Sequence, residues 1–142
     1  MLERRLAIIY ARVAIGGAFL SAVADRFGFW GPHGKTNVAW GNFHDFTVYV
    51  AQVNSFLPPK WAPALGWLAT SAELLLGIAL ILGHWPRPVC VASAALLAIF
   101  GVAMAVSFGI KRPLDASVFS ASAGALVLGL IDGVHGWHHA DT

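Results

Sequence analysis

Apolar residues dominate four stretches of the chain, and polar or proline-rich segments separate them. The stretches cover about residues 6–24, 61–83, 88–109 and 116–134. A helix needs roughly 20 apolar residues to cross a bilayer, and each stretch approaches that length. The pattern predicts one all-α integral membrane domain over residues 1–142, with four spans.

The connections before the third and fourth predicted spans are short and contain proline. They comprise residues 84–87 and 110–115. Short connections force consecutive helices to run antiparallel, so the simplest architecture is a four-helix up-down bundle.

The connection between the first and second spans is long and contains a second pattern. Within about residues 42–56 the apolar positions recur at helical spacing, and Asn42 followed by Asp45 is typical of a helix start. The sequence therefore predicts a short amphipathic helix here. Two roles remain open for it, a helix lying at the membrane surface and a lid over an opening between the spans.

The N-terminus allows a second interpretation. Arg4-Arg5, the apolar stretch and Ala22-Val23-Ala24 together resemble a signal peptide with its cleavage site. Arg12 interrupts the apolar stretch, which favours an uncut first span.

Composition agrees with a membrane protein. Hydrophobic residues make up 58% of the 142 residues and charged residues only 11%, against about 25% in soluble domains. The net charge of +2 is spread along the chain without a basic run, so a nucleic-acid partner is not expected.

Chemistry-bearing motifs are sparse. Cys90 is the lone cysteine, and the sequence contains no flavin, haem or thiol-pair motif. We therefore expect no autonomous catalysis and no intrinsic cofactor. The tail histidines, His135, His138 and His139, lack the further ligands of a metal set, so no metal site is expected.

Glu73 lies in the middle of the second predicted span. An ionised carboxylate at that depth costs several kcal/mol or more unless it is partnered. Gly66, Thr70, Glu73 and Gly77 share one helical face of small and polar residues. We expect this face to point into the bundle.

Arg12 is the partner that the sequence predicts for Glu73. From the predicted helix ends Arg12 lies roughly 10 Å and Glu73 roughly 16 Å from the same membrane side, a difference that a long side chain spans. Two alternatives remain, a snorkelling Arg12 and a protonated Glu73. The pair could fix helix register, or it could contact a ligand hydroxyl, a quinone carbonyl or a proton path.

Further polar residues, together with Arg12 and Glu73, predict a polar cleft within the membrane. Asp115 is placed at the start of the fourth span, where it would cap the helix. The predicted network or ligand-binding set is Arg12, Ser21, Asp25, Thr70, Glu73, Asp115, Ser117 and Ser120. Small residues and hydroxyls also allow helices to pack closely in a membrane. Close packing therefore remains an alternative role for the serines of this set.

Three segments carry a resemblance to a known family. They are Arg12-x-x-x-Gly16, residues 72–83 around Glu73, and Pro113 to Ser120. In order and spacing the chain resembles the DoxX family of small four-helix bacterial membrane proteins.

The resemblance implies a multi-pass bacterial inner-membrane protein linked to electron transfer, in which Arg12 and Glu73 match the family's recurrent helix-one arginine and helix-two glutamate. It further implies an accessory subunit of a redox system, with a bound quinone or lipid and a redox-protein partner or a second copy. Ser21 and Asp25 stand where many relatives carry a Gly-x-x-Lys signature. A small-solute, ion or proton carrier and a helix-packing scaffold are the alternative functions.

Overall fold

A computed structural model describes residues 1–133, and every regular element in that range is helical. The prediction of an all-α protein is confirmed for these residues. The elements are α1 (Leu2–Arg26), α2 (Phe43–Val53), α3 (Ala62–Leu82), α4 (Pro86–Phe108), α5 (Lys111–Asp115) and α6 (Val118–Gly133), with a single 3-10 turn at Pro59–Trp61 before α3.

Three of these helices are long and apolar enough to cross a membrane. They are α1, α4 and α3 together with its preceding turn. The apolar stretch of α6, Val118–Asp132, is shorter. Many large apolar side chains on the long helices are exposed, which is the distribution expected where lipid replaces water.

The turn between α3 and α4 is built from local backbone chemistry. Gly83 ends α3 in the left-handed region at φ +70°, which glycine adopts without a Cβ penalty. The N–H of His84 then donates to the carbonyl of Ala79 at 3.0 Å. Pro86 starts α4, where the lost N–H would have no helical partner. The chain therefore reverses within Gly83–Trp85.

Close backbone contact joins α1 to α3. A Cβ added at Gly16 would lie 2.9 Å from the carbonyl oxygen of Gly77. Arg12 lies beside Gly83, whereas Arg26 reaches Thr70. Residue numbers rise along α1 as they fall along α3, so the two helices are antiparallel. Small residues at the crossing permit this approach.

The second close pair is α4 with α6. A Cβ at Gly129 would lie 2.9 Å from the Cβ of Cys90, and the hydroxyl of Ser122 donates to the carbonyl of Ala94 at 2.7 Å. Helix α1 also contacts α6, and α3 contacts α4. A shared core therefore forms from α1, α3, α4 and α6, and it contains Phe19, Leu80, Val89, Cys90 and Leu128.

Helix α2 packs on one end of this group. The side chain of Asn42 accepts the N–H of Asp45 at 2.8 Å and caps the helix. Phe46 and Val50 are buried in a cluster with Ala62 at the start of α3. Because the helix contacts α1, α3 and α4, it is part of the packed structure.

Two features at the fourth predicted span differ from expectation. The span was predicted from residue 116, but α6 begins at Val118 and the short α5 precedes it. Asp115 is the last residue of α5, so the predicted cap at the start of the span is wrong. The tail histidines, Trp137 and the end of the predicted span at residue 134 lie outside the described residues.

Candidate functional site

A buried ion pair joins the end of α1 to the middle of α3. Arg26 Nη2 lies 2.6 Å from Glu73 Oε2, and the two side chains are 3% and 4% exposed. Arg26 Nη1 donates to the hydroxyl of Thr70 at 2.9 Å. The predicted burial of Glu73 and Thr70 on the inward face of α3 is confirmed.

Aromatic rings cover the guanidinium. The Arg26 Cζ atom lies 3.8 Å from the ring centre of Phe46 and 5.4 Å from that of Trp40. A cation over an aromatic face is attracted by the ring quadrupole, most strongly where water is excluded. Helix α2 and the loop before it supply both rings, so the long connection completes the site.

Hydrogen bonding at the pair is incomplete. Within residues 1–133, Arg26 Nε has no hydrogen-bond partner, and the Arg26 Nη2 contact at 2.6 Å is the one close polar contact of Glu73 Oε2. Buried polar atoms left in this state cost roughly 1–3 kcal/mol each, and more when charged. The charges of the pair are therefore incompletely compensated by hydrogen bonds from the described residues.

An apolar cavity of about 380 Å³ adjoins the pair. Arg26 and Glu73 form part of its wall, and α2, α3 and α4 supply most of the remainder. Representative apolar lining residues are Phe46, Val50, Leu68, Ile99 and Phe100. A largely apolar cavity of this volume with a few converging polar groups is the usual form of a small-molecule site.

Tyr49 of α2 also lines the cavity. Burial raises the pKa of its hydroxyl, and the positive charge of Arg112 offsets only part of this effect. The phenol is therefore neutral at physiological pH and serves as a hydrogen-bonding group.

A comparison with known protein families finds one family whose sequence model matches this chain. The sequence model described as methylamine utilisation protein MauE matches residues 4–128. The chain belongs to the MauE family. No curated protein and no solved structure gives a significant match.

The resemblance to the DoxX family is therefore wrong, because the matching family is a different one. The segments behind that resemblance are short and apolar. Such segments recur wherever small helices pack in a membrane, which limits their power to separate families.

The ion pair predicted between Arg12 and Glu73 is also wrong in this MauE-family chain. Arg12 pairs instead with Asp132 of α6. Arg4 reinforces the same junction by donating to the carbonyl of Ile131 at 2.7 Å. The guanidinium of Arg12 lies so close to Gly83 that a side chain there would collide with it.

Helix register explains the error. Arg12 lies beside Gly83, and Glu73 is ten residues earlier on α3. At 1.5 Å per residue this separates the two levels by about 15 Å, beyond the reach of the side chain. The sequence placed Arg12 only about 6 Å from Glu73 in depth because it could not reveal the Gly16 to Gly77 crossing.

Asp25 is buried but serves the loop. Its carboxylate accepts the backbone N–H groups of Ala39, Trp40 and Gly41 at 2.8, 2.8 and 3.0 Å. These bonds fix the segment that carries Trp40 onto Arg26. The structure gives Asp25 a positioning role and places it outside the cavity wall.

The remaining predicted residues are exposed and apart from the cavity. Ser21 accepts the indole N–H of Trp30 at 3.1 Å. Asp115 pairs with Lys111 on the surface, and Ser117 and Ser120 lie nearby on the outside. Of the predicted polar set, Glu73 lines the cavity and Thr70 supports its partner, whereas the others do not meet there.

Arg26 is the residue of the candidate site that the sequence analysis missed, because the first predicted span ended at residue 24. A signal was present. Gly16, Phe19, Val23 and Arg26 follow at +3, +4 and +3, which is one helical face, and all four are buried. Extending the first predicted helix by two residues would have placed Arg26 on this buried face.

Metal chemistry gains no support from the described part of the chain. Residues 1–133 contain no group of three or more His, Cys, Asp or Glu side chains placed to hold a metal ion.

Proposed function

We propose that this chain is a membrane accessory protein of a methylamine-utilisation system and that it binds a small apolar molecule beside Arg26 and Glu73. Membership of the MauE family supports a role in methylamine utilisation. One observation carries the binding proposal, namely that a buried ion pair forms part of the wall of an apolar cavity.

A benzoquinone is the ligand class that suits these groups. Its carbonyl oxygen accepts from a guanidinium, and the hydroxyl of its reduced form donates to a carboxylate. Its ring stacks on aromatic faces of the kind that Phe46 and Trp40 supply. The cavity volume of about 380 Å³ lies in the range of roughly 300–1,000 Å³ used by small-molecule sites.

We further propose four crossings of the bacterial inner membrane in up-down order, with α6 as the fourth. The antiparallel contacts of α1 with α3 and the short α3–α4 turn support this order. A protein of the same utilisation system, or a second copy of this chain, is the proposed binding partner. Copurification from native membranes with cross-linking tests that assignment.

Ligand binding is tested on the full chain in lipid nanodiscs. The probe is a decyl-benzoquinone with a photoreactive diazirine on the ring, and competition by unlabelled decyl-benzoquinone defines saturable labelling. We expect wild-type protein to label saturably. Arg26→Gln and Glu73→Gln each weaken binding at least tenfold, because each removes one polar contact to the ring.

Arg12→Gln is the matched control, since Arg12 is also a charged residue of α1 but pairs at the Asp132 junction. It leaves labelling unchanged. Absence of saturable labelling in wild type would refute the binding proposal. Native mass spectrometry that finds a phospholipid in the cavity, undisplaced by the quinone, would refute the ligand class.

The proposed role in methylamine utilisation is tested in the native host. Deletion of the coding sequence should abolish growth on methylamine as the sole nitrogen source and leave growth on ammonium unchanged. If the wild-type gene restores growth on methylamine and the Arg26→Gln variant does not, the site at Arg26 and Glu73 is required for methylamine utilisation. Unimpaired growth of the deletion strain on methylamine would refute it.

A further inference from the structure

The helices α3 and α4 pack together near their turn, and α2 lies against both of them towards the opposite end. Near their short turn, Leu80 packs with Val89 and Cys90 in the main core. Towards the opposite end α2 contacts both helices, with the hydroxyl of Ser107 on α4 donating to the carbonyl of Val53 at 2.7 Å. The cavity lies in the space between α3 and α4 beneath α2.

The cavity reaches the outer surface between these helices. Leu68 on α3 and Ile99 on α4 both line it, yet they are 68% and 63% exposed. Leu68 lies 14 residues before Leu82, and Ile99 lies 13 residues after Pro86, so both sit about 20 Å from the turn. We call the opening between Leu68 and Ile99 the α3–α4 gap.

The surroundings of the gap are apolar. Both helices have the length and hydropathy to cross a membrane, so we expect acyl chains against their outer faces at this height. The side facing α2 is different, because Phe46 and Trp40 cover Arg26 there. Asp25 fastens the loop that carries Trp40 through three backbone hydrogen bonds.

We propose that the α3–α4 gap is a lateral entrance from the bilayer for a tailed, membrane-dissolved amphiphile. Its ring lies beside Arg26 and Glu73, and its alkyl tail leaves between Leu68 and Ile99 into the acyl chains. This inference rests on the proposed function and specifies the ligand further. A cavity of about 380 Å³ accommodates a substituted ring, while a long tail extends outside.

The position of the tail is tested by photolabelling in nanodiscs. The probe is a decyl-benzoquinone with its diazirine at the end of the tail, and cross-linked peptides are mapped by mass spectrometry. We expect cross-links on α3 around Leu68 and on α4 around Ile99, with cross-linking at both positions competed by unlabelled quinone. Competed cross-links confined to α2 and the loop before it would overturn the entrance.

The route is tested by timing the binding of the ring-labelled probe with light flashes after mixing. The double variant Leu68→Trp and Ile99→Trp narrows the gap, and we expect it to slow labelling at least tenfold. Leu75→Trp with Val106→Trp is the control. These residues lie on the same helices and are 69% and 65% exposed, but they are absent from the cavity wall.

The outcomes separate the two proposals. Saturable wild-type labelling that Arg26→Gln abolishes, combined with an unchanged rate in the gap variant, overturns the entrance and leaves the binding site standing. Equal slowing in the control variant also overturns the entrance. Failure of wild type to label saturably removes the binding site itself, and the entrance with it.

Discussion

Arg26 at the end of α1 and Glu73 in the middle of α3 face each other at 2.6 Å with almost no exposed surface. Both side chains are buried, so each charge depends on the other, and Arg26 also depends on Thr70, Phe46 and Trp40. Three separate segments build this arrangement, namely the end of α1, the middle of α3, and α2 with the loop before it. The ion pair therefore forms only when all three are folded together.

Breaking the ion pair should destabilise the protein unequally from its two sides. Glu73→Leu leaves a buried guanidinium that cannot be deprotonated, at a cost of about 3–5 kcal/mol. Arg26→Met should cost less, because the remaining carboxyl can take up a proton. Reversible unfolding of detergent-solubilised protein in SDS measures both.

The double variant Arg26→Met with Glu73→Leu completes a cycle. It leaves no unpaired charge at this position, so it should be more stable than Glu73→Leu alone. A double variant that is as unstable as the sum of the two single variants would contradict coupling between the charges.

The junction of Arg12 with Asp132 should contribute to stability without affecting the ligand site. The two side chains are only 20% and 11% exposed, so Asp132→Asn leaves Arg12 poorly compensated. We expect a loss of about 1–3 kcal/mol in the same unfolding assay. Ring-labelled quinone should still bind as in wild type. A tenfold loss of quinone binding would show that the two charged sites are not independent.

Gly16 should tolerate no side chain. A Cβ there would lie 2.9 Å from the backbone oxygen of Gly77, which cannot move without shifting α3. Gly16→Ala should therefore cost about 1–3 kcal/mol through overpacking. Gly17→Ala is the matched control, since its Cβ would meet nothing within 4 Å. Similar unfolding midpoints for the two variants would disprove the close crossing.

Asp25 should hold the loop that covers the ion pair. Asp25→Asn weakens three hydrogen bonds to residues 39–41, because a neutral amide accepts less strongly than a carboxylate. Hydrogen exchange, read by mass spectrometry, should rise at least tenfold in residues 39–53. Asp115→Asn, at an exposed surface pair, should leave exchange there unchanged. Equal protection in wild type and Asp25→Asn would argue against this role.

The sequence predicted the elements well where the pattern was strong. Long apolar runs indicated membrane-crossing helices, and α1, α3 and α4 have that length and hydropathy. The spacing of apolar residues after Asn42 indicated the helix that the structure places at Phe43–Val53. Both signals are local, since they depend on propensity and periodicity within one segment.

The site was predicted only in part. The inward face of α3 with Thr70 and Glu73 followed from helical geometry, and a buried carboxylate required a partner. Which arginine met it depended on helix register. Similarly, the sequence predicted Asp25 as part of a polar network, but its three backbone partners come from the folded loop.

By itself the sequence determined that this chain is helical, that its long helices suit a membrane, and that Glu73 lies inside. The tertiary structure alone decided that Arg26 meets Glu73, that Arg12 meets Asp132, and that a cavity opens between α3 and α4. The reason is physical. Helix formation and hydropathy act over neighbouring residues, whereas register is set by where two backbones approach most closely, here at Gly16 and Gly77.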